Sequence, residues 1–236
     1  MSSVLMAHAV RLHALLGVLV GIASGLLWGL TYVLIILRSM KDKSYGMPFA
    51  ALCFNVMWEF IYTFVFPPPG QGFEFWIPLL VNFIWFALDV GILITWLLFW
   101  RVDSPPGLTA KWHLPGLVVG LASATAVLFG IQFQFNTASC VGADVPPGGV
   151  SSFLQNLMMS ALFIAMALRR NNLSGQSVPI AVAKLLGSAL ASTYFYFYVP
   201  GATTFYWVAL FVLVFFYDSI YTVLLLNLRS GRAATA

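Results

Sequence analysis

Long stretches of apolar residues, separated by short polar breaks, run along the whole chain. They lie at about residues 12–38, 46–66, 75–100, 114–135, 151–168, 178–198 and 203–228. Because roughly 20 apolar residues in an α-helix cross a hydrocarbon core about 30 Å thick, each stretch is long enough to span a membrane. Prolines, glycines and charges mark the breaks, as in Pro67-Pro68-Pro69-Gly70. The pattern predicts an all-α polytopic membrane protein, a bundle of seven transmembrane helices forming a single domain over residues 1–236.

The composition excludes most other classes of protein. Hydrophobic residues make up 61% of the 236 residues and charged residues 8%, whereas a soluble domain carries about 25% charged residues. Such a chain cannot cover a water-facing surface, which rules out a soluble, disordered or nucleic-acid-binding protein. The two cysteines, Cys53 and Cys140, form neither a disulfide framework nor a zinc-binding spacing.

Basic residues are distributed unequally between the two sides of the predicted bundle. If successive spans alternate in direction, one side holds Arg11 alone. The other side holds nine basic residues: Arg38, Lys41, Lys43, Arg101, Lys111, Arg169, Arg170, Arg229 and Arg232. Because Lys and Arg stay preferentially on the cytoplasmic side, we expect the N-terminus outside or in the lumen and the C-terminus in the cytoplasm. The membrane is expected to be a bacterial plasma membrane or the endoplasmic reticulum.

Four ionisable side chains fall inside the predicted spans, where an isolated charge is costly. Lys184 lies about two turns from the cytoplasmic end of the sixth span, so its long stem is expected to reach the headgroups. Glu59, Asp89 and Asp218 have shorter stems and lie deeper, which makes them candidates for a functional site. For Asp89, a structural hydrogen bond between helices is an equal alternative.

Polar side chains are concentrated in the outer halves of the spans. They are Gln132, Gln134, Asn136, Gln155, Asn156, Tyr194, Tyr196, Tyr198, Thr203 and Tyr206. We expect a cavity there, walled by aromatic residues, which form 16% of the chain. Trp58, Tyr62, Trp85 and Tyr221 stand beside the acids and are predicted to line this cavity, where their ring faces would stabilise a cation.

The second span carries a specific sequence. It follows Tyr45-Gly46-Met47 and contains Asn55-Val56-Met57-Trp58-Glu59-Phe60-Ile61-Tyr62. This run resembles the integral membrane terpene cyclases of meroterpenoid and indole-terpenoid pathways, the paxilline-type and pyripyropene-type cyclases, in which YGM leads into an N-x-x-W-E-x-x-Y helix. Leu185-Leu186-Gly187-Ser188 is similar to the FLGS segment of that family, and Asp218 is similar to its second essential acid.

The resemblance implies that Glu59 and Asp218 are the acid pair of a cyclase. Such an enzyme protonates the terminal alkene or epoxide of a prenylated, lipophilic substrate and closes rings through carbocations, without loss of diphosphate and without a metal or cofactor. A carboxyl in a low-dielectric cavity favours its neutral form and can serve as a general acid at neutral pH, which supports this role. Asn55, one turn before Glu59, is expected to hydrogen-bond the carboxyl and orient its proton, and Asp89 is a further catalytic or supporting candidate.

Two other classes of function stay open from the residues alone. A proton-coupled small-molecule transporter would also use buried acids, and a lipid-binding seven-helix protein would hold its ligand without changing it. A transporter built from inverted repeats predicts Pro or Gly interruptions in paired spans, and the sequence shows none.

Overall fold

The computed structural model describes residues 3–103, 110–135, 145 and 148–234, so Asn136 and Cys140 lie outside the described residues. The described residues form seven α-helices. They are α1 (Ser3–Asp42), α2 (Phe49–Phe60), α3 (Phe73–Phe99), α4 (His113–Gln134), α5 (Gly149–Arg170), α6 (Val178–Tyr198) and α7 (Phe205–Ala234). A π-helical turn, Ile61–Val65, continues α2, and two 3-10 turns, Trp100–Asp103 and Ala110–Trp112, lie between α3 and α4.

The predicted seven-helix bundle is confirmed. Six of the helices are long and apolar enough to cross a membrane by length and composition, and α2 with its π turn is a shorter apolar segment, Phe49–Val65. The third to sixth predicted spans agree with the helices to within two residues at each end. Helix α7 continues to Ala234, beyond the predicted residue 228, and α1 begins at Ser3, well before the predicted residue 12. Polar and glycine residues set several helix ends. Ser177 caps α6 by accepting a hydrogen bond from the Ile180 N–H at 3.4 Å, and the left-handed residues Gly148 and Asn171 bracket α5.

Six helices form a closed ring. Following the contacts around it, α1 packs on α3, α3 on α2, α2 on α5, α5 on α7, α7 on α6, and α6 again on α1. Helix α4 packs on the outside of α2 and α5. Large apolar side chains point away from the ring, for example Leu26 at 70% exposure and Val118 at 65%. This arrangement directs apolar surface toward lipid and leaves the buried polar side chains inside the ring.

The Tyr45-Gly46-Met47 run lies in the connection between α1 and α2, where it docks on the connection between α5 and α6. Arg170 donates to the carbonyl of Tyr45 at 2.9 Å and lies over the Tyr45 ring, 4.5 Å from its centroid. A Cβ at Gly46 would approach the carbonyl oxygen of Gly175 to 2.7 Å. Only glycine therefore fits at position 46, and this run has a structural role in joining the two connections.

Candidate active site

A cavity of about 210 Å³ lies inside the ring of helices. It occupies the half of the bundle where α5 begins and α6 ends, which is the half that the sequence predicts. Aromatic side chains form much of its wall: Trp28, Trp58, Trp85, Phe153 and Phe195. Gln155 and Asn156 supply polar groups from α5, so two of the ten polar residues singled out in the sequence line it.

Glu59 is the acidic side chain among the described residues of the cavity wall. It is 2% exposed, and its Oε2 atom has no hydrogen-bond partner in the described part of the chain. A buried polar atom without a partner is unusual and costly, unless a ligand or water supplies the partner. The Glu59 carboxyl therefore lies in the wall of an aromatic cavity, and its Oε2 atom is available to form a hydrogen bond with a ligand.

A polar cluster connects Glu59 to the neighbouring helices. Asn55 also lines the cavity, and its Nδ2 atom donates to Tyr32 Oη on α1 and to Asp89 Oδ2 on α3, each at 2.7 Å. Asp89 is completely buried, and Asn55 links it to α2 one helical turn before Glu59. Both hydrogens of the Asn55 amide are thus engaged by Tyr32 and Asp89, so a bond from Asn55 to the Glu59 carboxyl would use the amide oxygen as the acceptor.

The expectation that Lys184 reaches the headgroups is wrong. Its side chain is 0% exposed, and Nζ forms an ion pair with Asp218 Oδ1 at 2.6 Å. Nζ also donates to Ser160 Oγ at 2.7 Å and to Asn156 Oδ1 at 3.1 Å. Three acceptors from α5 and α7 match the three donors of an ammonium group, so the interior offers Lys184 a complete set of partners.

Asp218 has different surroundings from Glu59. It is 1% exposed and pairs with Lys184, whereas the described residues of the cavity wall include Asn156 but not Asp218. The structure therefore brings Glu59 together with Asp89, and Asp218 together with Lys184. It does not place Glu59 and Asp218 side by side in the wall of the cavity.

Two of the four aromatic residues predicted to line the cavity do so. Trp58 and Trp85 line the cavity, but Tyr62 and Tyr221 are not among its described lining residues. Tyr62 follows Glu59 into the π turn, where the usual helical spacing is lost, and its hydroxyl donates to Gln132 Oε1 at 2.9 Å. Tyr221 lies on α7 and donates to Gln176 Oε1 at 3.2 Å.

Sequence reasoning missed the contribution of α1. Ser24, Trp28 and Tyr32 all line the cavity, and they are spaced four residues apart on one face of that helix. This i, i+4 stripe was a readable signal, because small, aromatic and polar groups align on one side of an otherwise aliphatic helix. Trp28 packs closely on Gly187 of α6, since a Cβ added at Gly187 would lie 3.1 Å from the indole ring.

Metal-binding side chains do not gather in the part of the chain that the structure describes, where no group of three or more His, Cys, Asp or Glu residues is placed to hold an ion. The groups that line the cavity include a carboxyl, its amide and phenol neighbours, and aromatic ring faces.

Comparison with known proteins identifies the family of this chain. The sequence profile described as Pyr4-like transmembrane terpene cyclases matches residues 9–231. The Pyr4-family terpene cyclase mfmH of Annulohypoxylon moriforme is 28% identical over 174 residues, which cover 74% of this chain and 67% of that protein. Terpene cyclase macJ of Penicillium terrestre is 29% identical over 181 residues, covering 73% and 64%. Terpene cyclase andB of Emericella variicolor is 27% identical over 229 residues, covering 92% and 91%.

The alignments with mfmH and macJ thus span about two thirds of those proteins, and the alignment with andB spans nearly all of both chains. The resemblance drawn from the second span is confirmed by a match that extends from α1 to α7. The chain belongs to the Pyr4-like transmembrane terpene cyclases.

Proposed function

We propose that this protein is a membrane-bound terpene cyclase that protonates the terminal alkene or epoxide of a prenylated, lipophilic substrate. The observation that carries the proposal is the Glu59 carboxyl, buried in an aromatic cavity within the membrane bundle and left with an unpartnered oxygen. The names of the relatives, all terpene cyclases, support the same reaction class. A prenylated substrate already dissolves in the bilayer and enters sideways between helices.

The reaction begins with proton transfer from Glu59 to the terminal alkene carbon or the epoxide oxygen. In an alkene, the π electrons form the new C–H bond and the other carbon becomes a carbocation. In an epoxide, the C–O bond breaks toward the protonated oxygen and leaves a carbocation. The next double bond of the chain then attacks the cation to close a ring. The Glu59 carboxylate and the faces of Trp28, Trp58 and Trp85 stabilise the positive charge. Loss of a proton from the last cation restores the original atom count, so the product is an isomer of the substrate.

Asp89 and Asn55 act in this scheme as supporting groups. Asn55, one helical turn before Glu59 on α2, donates to the Asp89 carboxyl, and it also fixes Tyr32 at the cavity wall. Glu59 and Asp89 are both buried on neighbouring helices that Asn55 links, and ionising two buried carboxyl groups together is costly. A neutral acid is thus available at the cavity for the first step.

Incubation of the purified, detergent-solubilised protein with prenylated aromatic acceptors tests this function. Substrates ending in an alkene and substrates ending in an epoxide are supplied separately, and the products are separated by chromatography. A cyclase gives a product with a new retention time. A proton-coupled transporter gives accumulation in proteoliposomes without a new compound, and a lipid-binding protein retains the substrate unchanged; either result would refute the proposal.

The cavity tryptophans should contribute to turnover while the tyrosine on α7 should not. Trp85→Leu removes a ring face that a carbocation would use, and a cation–π contact of about 1 kcal/mol corresponds to about a fivefold loss of kcat. Tyr221→Phe removes a hydroxyl that is bonded to Gln176 and should leave kcat close to that of the wild type. Rates and product patterns of the two variants are compared at matched amounts of folded protein. An equal loss of kcat in both variants would contradict the assignment of Trp85, but not Tyr221, to the cavity wall.

We also propose that the C-terminus faces the cytoplasm, on the basis of the nine-to-one distribution of basic residues. A phosphatase reporter that folds only outside the cytoplasm should be inactive when it is fused after Ala236. The same reporter inserted after Pro69, in the connection between α2 and α3, should be active. The opposite pair of activities would reverse the topology.

A further inference from the structure

The ion pair of Lys184 and Asp218 is completely enclosed by α5, α6 and α7. Both side chains are at most 1% exposed, and Nζ uses its three donors on Asp218, Ser160 and Asn156. Asn156 in turn donates from Nδ2 to Ser188 Oγ on α6 at 3.0 Å. Each N–H group of the ammonium therefore bonds to a different acceptor, and together the three bonds hold the ammonium in one position.

The positive member of this pair lies next to the cavity wall. Nζ of Lys184 is bonded to Asn156, which lines the cavity, and it lies 5.4 Å from the ring centroid of Trp28, which also lines it. Asp218 has neither contact in the described structure, and Lys184 bonds to both Asp218 and Asn156. Of the two members of the pair, the ammonium is thus the one in contact with residues of this wall.

A cation at that place opposes a reaction that passes through carbocations. Two like charges in a low-dielectric interior repel strongly unless a counterion offsets one of them. Asp218 is in direct contact with the ammonium at 2.6 Å and provides that offset. Without Asp218, the positive charge of Lys184 would act on the cavity without compensation for as long as the amine keeps its proton.

We propose that Asp218 serves the reaction as the fixed counterion of Lys184, and that Lys184 is a positioning residue that holds Asn156 in the cavity wall. This inference rests on the proposed cyclisation, because the carbocation is the species that responds to the charge. Asp218 then needs neither to touch the substrate nor to transfer a proton. Its contribution is to keep the wall behind Trp28 and Asn156 electrically neutral.

Removing the two charges singly and together tests this role. Asp218→Asn leaves the ammonium without its counterion and should lower kcat on the order of 100-fold with little change in KM for the uncharged substrate. Lys184→Met removes the positive charge and should cost less. The double variant, Lys184→Met with Asp218→Asn, carries no charge there and should recover at least about tenfold of the activity lost in Asp218→Asn. Ser219→Ala, next to Asp218 on α7, is the matched control and should behave as the wild type.

A double variant that is as inactive as Asp218→Asn would overturn the proposal, since Asp218 would then have to take part in the chemistry directly. Where Asp218→Asn alone does not fold, the double variant is compared with Lys184→Met. A double variant at least about tenfold less active than Lys184→Met would then overturn the proposal, because Asp218 would matter without Lys184. Additive losses in thermal stability in detergent would also overturn it, because paired groups are expected to be coupled.

Binding of a charged probe separates this inference from the proposed reaction. Farnesyldimethylamine carries a positive charge at neutral pH and mimics a prenyl cation, whereas farnesol is uncharged. Asp218→Asn should weaken binding of the amine at least about tenfold without changing that of farnesol, and the double variant should restore it. If the wild type cyclises none of the prenylated substrates but shows this binding pattern, the proposed function fails and the counterion role stands. If the amine binds equally to all variants, the counterion role fails.

Discussion

Glu59→Gln should give a folded protein that binds its substrate and does not cyclise it. Glutamine keeps the size and the hydrogen-bonding capacity of the side chain but has no proton of useful acidity, and general acids contribute roughly 100- to 10,000-fold to rates. Because Glu59 is 2% exposed and surrounded by aromatic side chains, water has little access to replace its proton. The measurement is kcat of the purified variant at an amount of folded protein matched to the wild type.

Glu59→Asp is the matched control for acidity. It retains a carboxyl but withdraws it by about one methylene, and misplacement on that scale costs on the order of 100-fold, so weak activity should persist. Wild-type rates in Glu59→Gln would remove Glu59 as the proton donor and leave the seven-helix fold unaffected.

Asp89→Asn should lower kcat by about 10- to 100-fold, less than the change at Glu59. The amide oxygen of asparagine can still accept the hydrogen bond that Asn55 donates to Asp89 Oδ2 at 2.7 Å, so the link between α2 and α3 survives. What is lost is the second carboxyl group, whose charge and acidity asparagine does not supply. Asp89→Leu removes the hydrogen bond as well and should also reduce thermal stability, since the Asn55 amide loses a buried partner.

The size of the Asp89 effect separates three roles. Activity equal to that of the wild type in Asp89→Asn would make Asp89 a structural hydrogen-bond acceptor alone. Complete inactivity with normal expression would make it a proton donor in its own right. An intermediate loss of kcat with unchanged stability is the result expected of a supporting group.

The number and approximate bounds of the helices were predictable because a membrane span leaves a simple signal. Every backbone polar group must be satisfied inside the segment, so the chain alternates between long apolar helices and short polar connections. The start of α1 was placed too late because its first turns contain polar residues such as His8 and Arg11, although the chain there is already helical.

The partners of the buried charges were less predictable. The prediction for Lys184 uses its depth along α6 and the length of its side chain. The partners of its amino group depend instead on which helices lie beside α6. Asn156, Ser160 and Asp218 come from two helices that are distant in sequence, and their convergence is a property of the ring of helices. A single sequence carries little information on that convergence.

The position of each aromatic residue around its helix explains which of the predicted aromatic side chains line the cavity. Trp58 and Trp85 face the cavity as expected from their positions beside Asn55 and Asp89. Tyr62 lies beyond the point where α2 changes into a π turn, so counting residues from Glu59 gives the wrong face. Tyr221 was placed by its distance from Asp218, and Asp218 itself faces Lys184.

The mass of the product formed in water enriched in heavy oxygen tests most directly whether this protein isomerises a prenylated substrate by proton-initiated cyclisation. Purified wild-type protein should convert the substrate to a compound of identical mass with a new retention time and no heavy oxygen, because a proton enters at the first step and a proton leaves at the last. A product heavier by one water molecule and carrying the label would show hydration instead. That result, or an unchanged substrate that nevertheless binds in the cavity, would contradict the cyclisation mechanism.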